Sequence, residues 1–379
     1  MSAMILRLAC AWATVAAFLL FGTSLLGQLG APLISAAIFV WLLGVIIWAA
    51  FGVVHEAEIL AERLGEPYGT LILTLSIVII EVALISAVML GAKGAPTLGR
   101  DTMFAVLMIV LNGVVGIGLI VGGRQHFAQS YNLKGASSYL AVIIPLTVIP
   151  LVLPNFTTST GAGTLTTLQS VSFSVFTIAL YGAFLVLQTG RHRSFFQEPT
   201  REQAPLPRTP ARTEKAVDLG PLEGEGHAGG AIWTHVALLL ANILPIVILS
   251  KSLATVLDFG IIQLGAPVAL GGILIAMVVF TPECIAALRA ISANQLQRAI
   301  NLCLGAAAST LGLTVPAVLA IGLFTGQEVV LGLSGVNMVI LAMTLLLSTL
   351  TFTGTRTTML EGAVHLSVFF VFVVLVFSP

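Results

Sequence analysis

Long apolar runs fill most of this chain, and short polar turns separate them. A helix needs about 20 mostly apolar residues to cross the hydrocarbon core of a bilayer. Runs of that length recur from one end of the sequence to the other. They predict an all-α polytopic membrane protein with about eleven spanning helices, at residues 4–28, 31–54, 68–91, 102–122, 137–154, 165–189, 231–250, 266–288, 298–323, 329–352 and 361–378.

One polar stretch, residues 190–230, interrupts this pattern near the middle of the chain. It contains six basic and six acidic residues, frequent Pro and Gly, and few large apolar residues. Such a composition is typical of a flexible linker, with a regulatory role left open. The sequence thus divides into an N-terminal helix, a first five-helix unit, the linker and a second five-helix unit, at residues 1–30, 31–189, 190–230 and 231–379.

The basic residues predict how the chain is oriented in the membrane. With the linker placed in the cytoplasm, thirteen of the 16 Lys and Arg residues fall on the cytoplasmic side. Only Lys93, Arg100 and Lys251 fall on the other side. Because cytoplasmic loops carry an excess of Lys and Arg, we expect a cytoplasmic N-terminus and a periplasmic C-terminus.

The composition excludes several classes of protein. Hydrophobic residues make up 58% of the chain and charged residues only 8%, against about 25% charged in soluble domains. The net charge is zero, which gives no indication of nucleic-acid binding. The chain has three cysteines, Cys10, Cys284 and Cys303, and all lie in apolar runs, so we interpret them as core residues.

Two glutamates, Glu81 and Glu283, lie deep inside apolar runs in the two halves of the chain. A carboxylate at this depth costs a few kcal/mol, on the order of 3 on insertion scales, and such residues mark ion or proton pathways. A single buried Glu is also compatible with simple helix packing. A pair at matching places is better explained by one shared site for a cation or for protons.

The surroundings of the two glutamates repeat as well. Leu64-Gly65-Glu66-Pro67 precedes the helix of Glu81, and Leu264-Gly265-Ala266-Pro267 precedes the helix of Glu283. In each half, a turn with an Arg and a helix rich in small residues come next. Five helices per unit is an odd number, so the two units would cross the membrane in opposite directions. This is the inverted-repeat plan of many secondary transporters, which bind their substrate at the midplane.

Paired carboxylates have a chemistry that suits exchange. Their oxygens are hard ligands for Ca²⁺, Na⁺ or K⁺, and two like charges at one site also favour protonation. A cation and protons would therefore compete for the pair, without any resident cofactor. Supporting ligands or lining groups are expected from polar residues on the glutamates' helices and on the small-residue helices: Thr74, Asn112, Thr281, Ser309 and Thr310. Asn112, Ser309 and Thr310 are equally compatible with hydrogen bonds between helices.

Other polar residues allow alternative interpretations. Glu56, Glu58 and Glu62 could draw cations toward an inner vestibule, although a solvated helix end explains them equally well. Ser334 lies in a Gly-x-Ser-Gly motif, and with His365 it could form the dyad of an intramembrane protease. That alternative leaves the two glutamates unexplained. A channel is a third possibility, but opposed repeats around a closed acidic site favour stepwise exchange.

Several motifs resemble a known family. The stretch from Ala57 to Gly65, followed by Glu81, resembles the first repeat of the cation/Ca²⁺ exchanger superfamily, in its calcium/proton exchanger branch. More closely, the run from Gly65 to Met89 resembles the bacterial Cha-type sodium-potassium or calcium/proton antiporters. Further similar motifs cover nearly the whole chain, at residues 122–124, 132–133, 281–283, 294–299, 313–316 and 361–363.

The resemblance implies an eleven-helix inner-membrane antiporter whose paired acidic residues are Glu81 and Glu283, exchanging Ca²⁺, Na⁺ or K⁺ for protons. The sequence departs from that family at the Gly-Asn pair expected before each glutamate, where it has Ile77-Val78 and Val279-Phe280. Asn112 is kept, and Ser309 stands where the second repeat has Gln. Fewer neutral oxygens weaken the case for strict Ca²⁺ selectivity, because Ca²⁺ takes six to eight oxygen ligands.

Overall fold

Eleven helices build the fold. The computed structural model describes residues 2–65, 68–91, 96–197, 232–354 and 356–378, and most of the predicted linker, residues 198–230, lies outside them. Within the described residues the helices are α1 Ser2–Gly27, α2 Pro32–Leu64, α3 Tyr68–Gly91, α4 Leu98–His126, α5 Leu133–Leu151, α6 Thr167–Thr189, α7 Ile232–Leu264, α8 Ala269–Ser292, α9 Leu296–Thr325, α10 Gly335–Thr351 and α11 Met359–Phe377.

The predicted class of fold is confirmed. In the described part of the chain, ten helices are long and apolar enough to cross a membrane, and α10 is an apolar helix of 17 residues. The remaining regular structure is minor. It consists of two short 3₁₀ turns, at Leu153–Phe156 and Arg193–Phe196, and of two antiparallel strands, β1 Gln129–Ser130 and β2 Arg356–Thr357.

The main errors of the sequence prediction concern the ends of α2 and α7. The predicted spans stop at residues 54 and 250, but both helices continue for at least ten residues, to Leu64 and Leu264. Hydropathy locates the part of a helix that is apolar, whereas backbone hydrogen bonds continue through charged residues such as Glu58 or Lys251. The predicted span 329–352 has the opposite error, since residues 327–334 are not helical before Gly335.

The helix lengths repeat between the two halves of the chain. Helices α2 and α7 both have 33 residues, and α3 and α8 both have 24. Gly65 and Gly265 follow the two long helices with positive φ angles of 63° and 59°, a conformation that glycine adopts without strain. Helices α4 and α9 each contain a π-helical turn, at Met108–Val114 and Thr310–Thr314. These correspondences support the predicted division into two five-helix units.

Loop contacts define the two sides of the helix bundle. We call the side that carries the Arg193–Phe196 turn, just before the linker, the linker side. There β1 pairs with β2, and Asn132 donates to the carbonyl of Ser194 at 3.1 Å. On the opposite side, at the other end of α4, Arg100 donates to the carbonyl of Gly332 at 2.8 Å.

Helix α1 packs on the long helices α2 and α7 through polar groups. The Trp12 indole donates to the carbonyl of Ala241 on α7 at 3.1 Å, and Trp41 on α2 donates to the Thr14 hydroxyl at 3.2 Å. The Arg7 side chain covers Gly52 on α2, where a Cβ atom would overlap it. The first helix is therefore attached by specific contacts as well as by apolar packing.

Glycines allow α4 and α11 to approach backbone to backbone. A Cβ atom on Gly362 of α11 would lie 2.7 Å from the carbonyl oxygen of Gly116 and 2.9 Å from the amide nitrogen of Ile120. Small residues at membrane helix interfaces permit this close packing, which dispersion forces stabilise. Gly118 and Gly122 allow a similar approach to α8, because a Cβ atom on either would overlap Ile291.

We expect Gly362→Ala to destabilise the protein by about 1–3 kcal/mol, because the added methyl group meets backbone atoms that cannot move aside. Gly182→Ala on α6 is the matched control, since a Cβ atom there has no neighbour within 4 Å. Thermal unfolding in detergent should show a lower Tm for Gly362→Ala alone. Equal Tm values for both variants would contradict this account of the α4–α11 contact.

Candidate cation and proton site

Glu81 lies on α3 and is completely buried, with 0% of its surface exposed. The Thr310 hydroxyl, in the π-helical turn of α9, donates to Glu81 Oε2 at 3.0 Å. The other carboxyl oxygen, Oε1, has no hydrogen-bond partner in the protein. A first-half glutamate thus meets a second-half hydroxyl at the centre of the bundle.

Glu283 lies on α8, directly after Pro282, and is 6% exposed. Neither of its carboxyl oxygens has a hydrogen-bond partner in the protein. Among the described residues, Glu58 and Glu81 are the carboxylates whose charges act on it. An unpartnered carboxylate out of water is costly unless it is protonated or bound to a cation.

A cavity of about 380 Å³ connects Glu283 with the linker side. Its outer part is formed by residues close to the linker, including Thr189, Arg193 and Gln197. Its lining includes two residues of the predicted site besides Glu283, namely Thr74 of α3 and Ser309 of α9. Glu283 therefore faces this cavity, whereas Glu81 is buried beyond it behind the contact with Thr310.

The packing of α3 differs from that of α8, its counterpart in the second half. Helix α3 packs mainly on the long helices α2 and α7, while α8 packs mainly on α4 and α9. The cavity lies between α3 and the part of α9 that precedes Thr310, the residue through which the two helices are hydrogen-bonded. Two equivalent helices in two different environments indicate that the bundle is captured with one side open, in this case the linker side.

Asn112 is fully buried in the π-helical turn of α4, but its side chain does not contact either glutamate. Its amide nitrogen donates to the Thr344 hydroxyl at 2.8 Å, and its oxygen lies 3.0 Å from Nδ1 of His365. Val110, two residues earlier, lines a small cavity together with Glu283. The turn is thus next to Glu283, while the Asn112 amide is hydrogen-bonded elsewhere.

The remaining predicted ligands occupy different places. The Ser309 hydroxyl donates to the carbonyl of Ala306 at 2.9 Å and also lines the cavity. Thr281 donates to the carbonyl of Met277 in its own helix at 2.5 Å and is not part of the cavity wall. Ser309 and Thr74 are therefore placed to meet an ion that enters from the linker side.

The three glutamates of the predicted vestibule separate in the structure. Glu56 is 1% exposed and forms an ion pair with His235 of α7 at 2.8 Å, so its carboxylate is already paired and lies outside the cavity. Glu62 is exposed at the end of α2, and Glu58 is half-buried. The charge of Glu58 acts on Glu283.

The serine and histidine of the protease alternative do not form a dyad. Ser334 caps α10, where its hydroxyl oxygen accepts from the backbone amide of Asn337 at 3.3 Å. His365 is fully buried and contacts Asn112 and Thr351. Glu361, one turn before His365, forms a capping box with Thr358 at the start of α11.

The unpartnered oxygens of Glu81 and Glu283 are hard ligands of the kind that bind Ca²⁺, Na⁺ or K⁺. Among the described residues, no group of three or more His, Cys, Asp or Glu side chains forms a conventional metal centre. A cation at Glu81 and Glu283 would therefore complete its shell with neutral oxygens and water, which the cavity admits. Such a weak and partly hydrated site suits an ion that must be released again.

Sequence reasoning missed several lining and supporting residues. Tyr139, Tyr181 and Gln188 line the cavity but carry no charge that would mark them within apolar helices. Thr344, Ser348 and Thr351 form a buried polar stripe along α10. Their spacing of three to four residues could have revealed this stripe in the sequence, because it places the three side chains on one helix face.

The fold is that of a polytopic helical membrane protein with one buried glutamate, Glu81 or Glu283, in each half. The sodium/calcium exchanger protein family matches residues 34–190 and 234–378, which together make up most of the chain. The chain therefore belongs to this family, whose members are transporters and not enzymes, and it is a cation/proton antiporter by class.

Individual relatives agree with this assignment. The chain is 42% identical over 337 residues to the y4hA protein of Sinorhizobium fredii, covering 89% of this chain and 87% of that one. It is 38% identical over 347 residues to the sodium-potassium/proton antiporter ChaA of Escherichia coli, covering 92% and 90%. Among solved structures, native YfkE superposes with a TM-score of 0.72 at 17% identity, over 98% of this chain and 100% of that one. The H⁺/Ca²⁺ exchanger CAX superposes with a TM-score of 0.65 at 13% identity, over 98% and 88%.

The contact between Thr310 and Glu81 gives a test of the site. In Thr310→Val, the shape is kept but the hydrogen bond is lost, so we expect the half-saturating cation concentration to rise about five- to tenfold, as for one ordinary hydrogen bond. Thr177→Val is the matched control, because Thr177 is equally buried and donates only within its own helix. The measurement is cation-dependent proton flux in proteoliposomes, and an unchanged half-saturation in Thr310→Val would argue against the site.

Proposed function

We propose that the protein exchanges a cation for protons at one site formed by Glu81 and Glu283. The observation that carries this proposal is that three of the four carboxyl oxygens have no hydrogen-bond partner although both side chains are buried. Two such groups are stable when protons or a cation neutralise them. Both partners of the exchange then meet the same oxygens, and each displaces the other.

The open cavity supplies the route to one side. From the linker side, water and ions reach Glu283 through the space bounded by α3, α6 and α9. We propose that α3 and α8 exchange their environments during transport, so that α3 packs on α9 and α8 moves away from α4. This movement would close the present cavity and open an equivalent path on the other side, as alternating access requires.

We propose Ca²⁺ as the exported ion. Two carboxylates carry the charge that balances one divalent cation. The hydroxyl of Thr310 contacts Glu81, and Thr74 and Ser309 line the cavity that leads to Glu283. Ca²⁺ takes six to eight oxygens, so part of its shell would be water.

Na⁺ and K⁺ form the second candidate. The 38% identity with an antiporter named for sodium and potassium favours it. The apolar residues Ile77-Val78 and Val279-Phe280 before the two glutamates favour it too, since they provide no side-chain oxygen.

For the cellular setting we propose the bacterial inner membrane, with the linker side and the N-terminus in the cytoplasm. The distribution of Lys and Arg supports this orientation. The pairing of the turns after α4 and α10 agrees with it, because it places Lys134 and Arg356 at one end of the bundle. Export then begins at the cavity observed here.

The decisive test is to neutralise each glutamate. Glu81→Gln and Glu283→Gln keep the side-chain volume but remove the charge and the exchangeable proton, so we expect cation-driven proton flux in proteoliposomes to fall at least about 100-fold. The matched control is Glu328→Gln, because Glu328 is exposed on the other side of the bundle and should have no effect. Undiminished flux in both site variants, with protein still folded, would refute the proposal.

The ion is identified by challenging the same vesicles with Ca²⁺, Na⁺ and K⁺ in turn while fluorescence reports internal pH. Proton movement with Ca²⁺ alone supports the first candidate, and movement with Na⁺ or K⁺ alone supports the second. A rate that saturates with cation concentration at a fixed proton ratio is expected for either, whereas non-saturating flux would indicate a channel.

A further inference from the structure

The two π-helical turns lie in the corresponding helices α4 and α9 but make different contacts. Asn112 follows Arg100 by twelve residues in the first half, and Thr310 follows Arg298 by twelve in the second. Thr310 donates to Glu81, the glutamate of the other half. If Asn112 likewise contacted the glutamate of the other half, its side-chain amide would lie against Glu283.

In the structure that contact is not made, although the components are adjacent. The first π-helical turn packs against α8, and its Val110 lines a small cavity together with Glu283. Both oxygens of Glu283 lack a partner. The Asn112 amide instead donates to the Thr344 hydroxyl at 2.8 Å and to the sulfur of Met108 at 3.6 Å.

His365 completes this alternative set of hydrogen bonds. Its Nδ1 lies 3.0 Å from Asn112 Oδ1, and its Nε2 lies 3.0 Å from the Thr351 hydroxyl. Since Oδ1 of an amide only accepts, Nδ1 carries the hydrogen and donates. His365 is fully buried on α11, so neither water nor lipid competes for this hydrogen.

We propose that His365 is a positioning residue that holds the Asn112 amide away from Glu283 while the linker side is open. When the bundle changes state, Asn112 leaves His365 and meets Glu283 and the cation, as Thr310 meets Glu81 here. His365 thereby lowers the affinity of the linker-side-open state for the cation and allows turnover. This inference rests on the proposed function of the two glutamates.

The test compares two substitutions of similar size in the full-length protein in proteoliposomes. His365→Leu removes the donor to Asn112 Oδ1 and leaves Thr344 and Met108 as the partners of the amide, so Asn112 should meet Glu283 more readily while the linker side is open. We expect KM for the cation and kcat both to fall about fivefold, the factor that one ordinary hydrogen bond accounts for. His365→Asn keeps an N–H near the place of Nδ1 and should restore values close to those of the wild type.

A double-substitution cycle separates positioning from a purely structural role. If His365 acts through Asn112, His365→Leu has no further effect on KM in an Asn112→Ala background. A rise or no change in KM for His365→Leu, or the same effect with and without Asn112, would overturn the inference. Measuring Glu283→Gln in parallel distinguishes the two proposals. Loss of flux in this variant supports the glutamate site even if His365 proves to have no positioning role.

Discussion

The cost of removing a carboxylate from water determines how this site works. Glu81 and Glu283 are buried in a bundle of apolar helices, and three of their four oxygens lack protein partners. A structural glutamate would have its oxygens satisfied, as Glu56 does with His235 and Glu361 does with its helix cap. The two central glutamates are instead left to be neutralised by protons or by a cation, and competition between these two is the basis of the exchange that we propose.

In the proposed mechanism, the repeat makes this competition usable from both sides of the membrane. The matching helix lengths and π-helical turns show that each half offers similar elements. Their environments nevertheless differ, because α3 packs on the long helices and α8 packs on α4 and α9. The two halves are similar but differently arranged. If they exchanged arrangements, the bundle would reach a second state of nearly the same structure, as alternating access requires. Rigid contacts such as that between Gly116 and Gly362 keep α4 and α11 together during such a change.

Much of this was accessible from the sequence, for identifiable reasons. The number of helices followed from hydropathy, and the buried glutamates were conspicuous because charge is so rare in apolar helices. The sequence could not place the ends of α2 and α7, since charged residues such as Glu58 do not stop a helix. Nor could it show that Glu56 is paired with His235, a residue 179 positions away. The network of Asn112, His365, Thr344 and Thr351 was invisible for the same reason, because it joins α4 to two helices, α10 and α11, that follow it by more than 200 residues.

Proton release on cation binding is the measurement that tests the central claim most directly. Purified protein in weakly buffered detergent solution would be titrated with Ca²⁺, Na⁺ or K⁺ while the pH is recorded. If one pair of carboxyl groups holds either protons or the cation, saturating binding of the transported ion releases protons, and the Glu81→Gln/Glu283→Gln double variant releases none. Saturable binding without proton release in the wild type, or unchanged release in the double variant, would contradict the account.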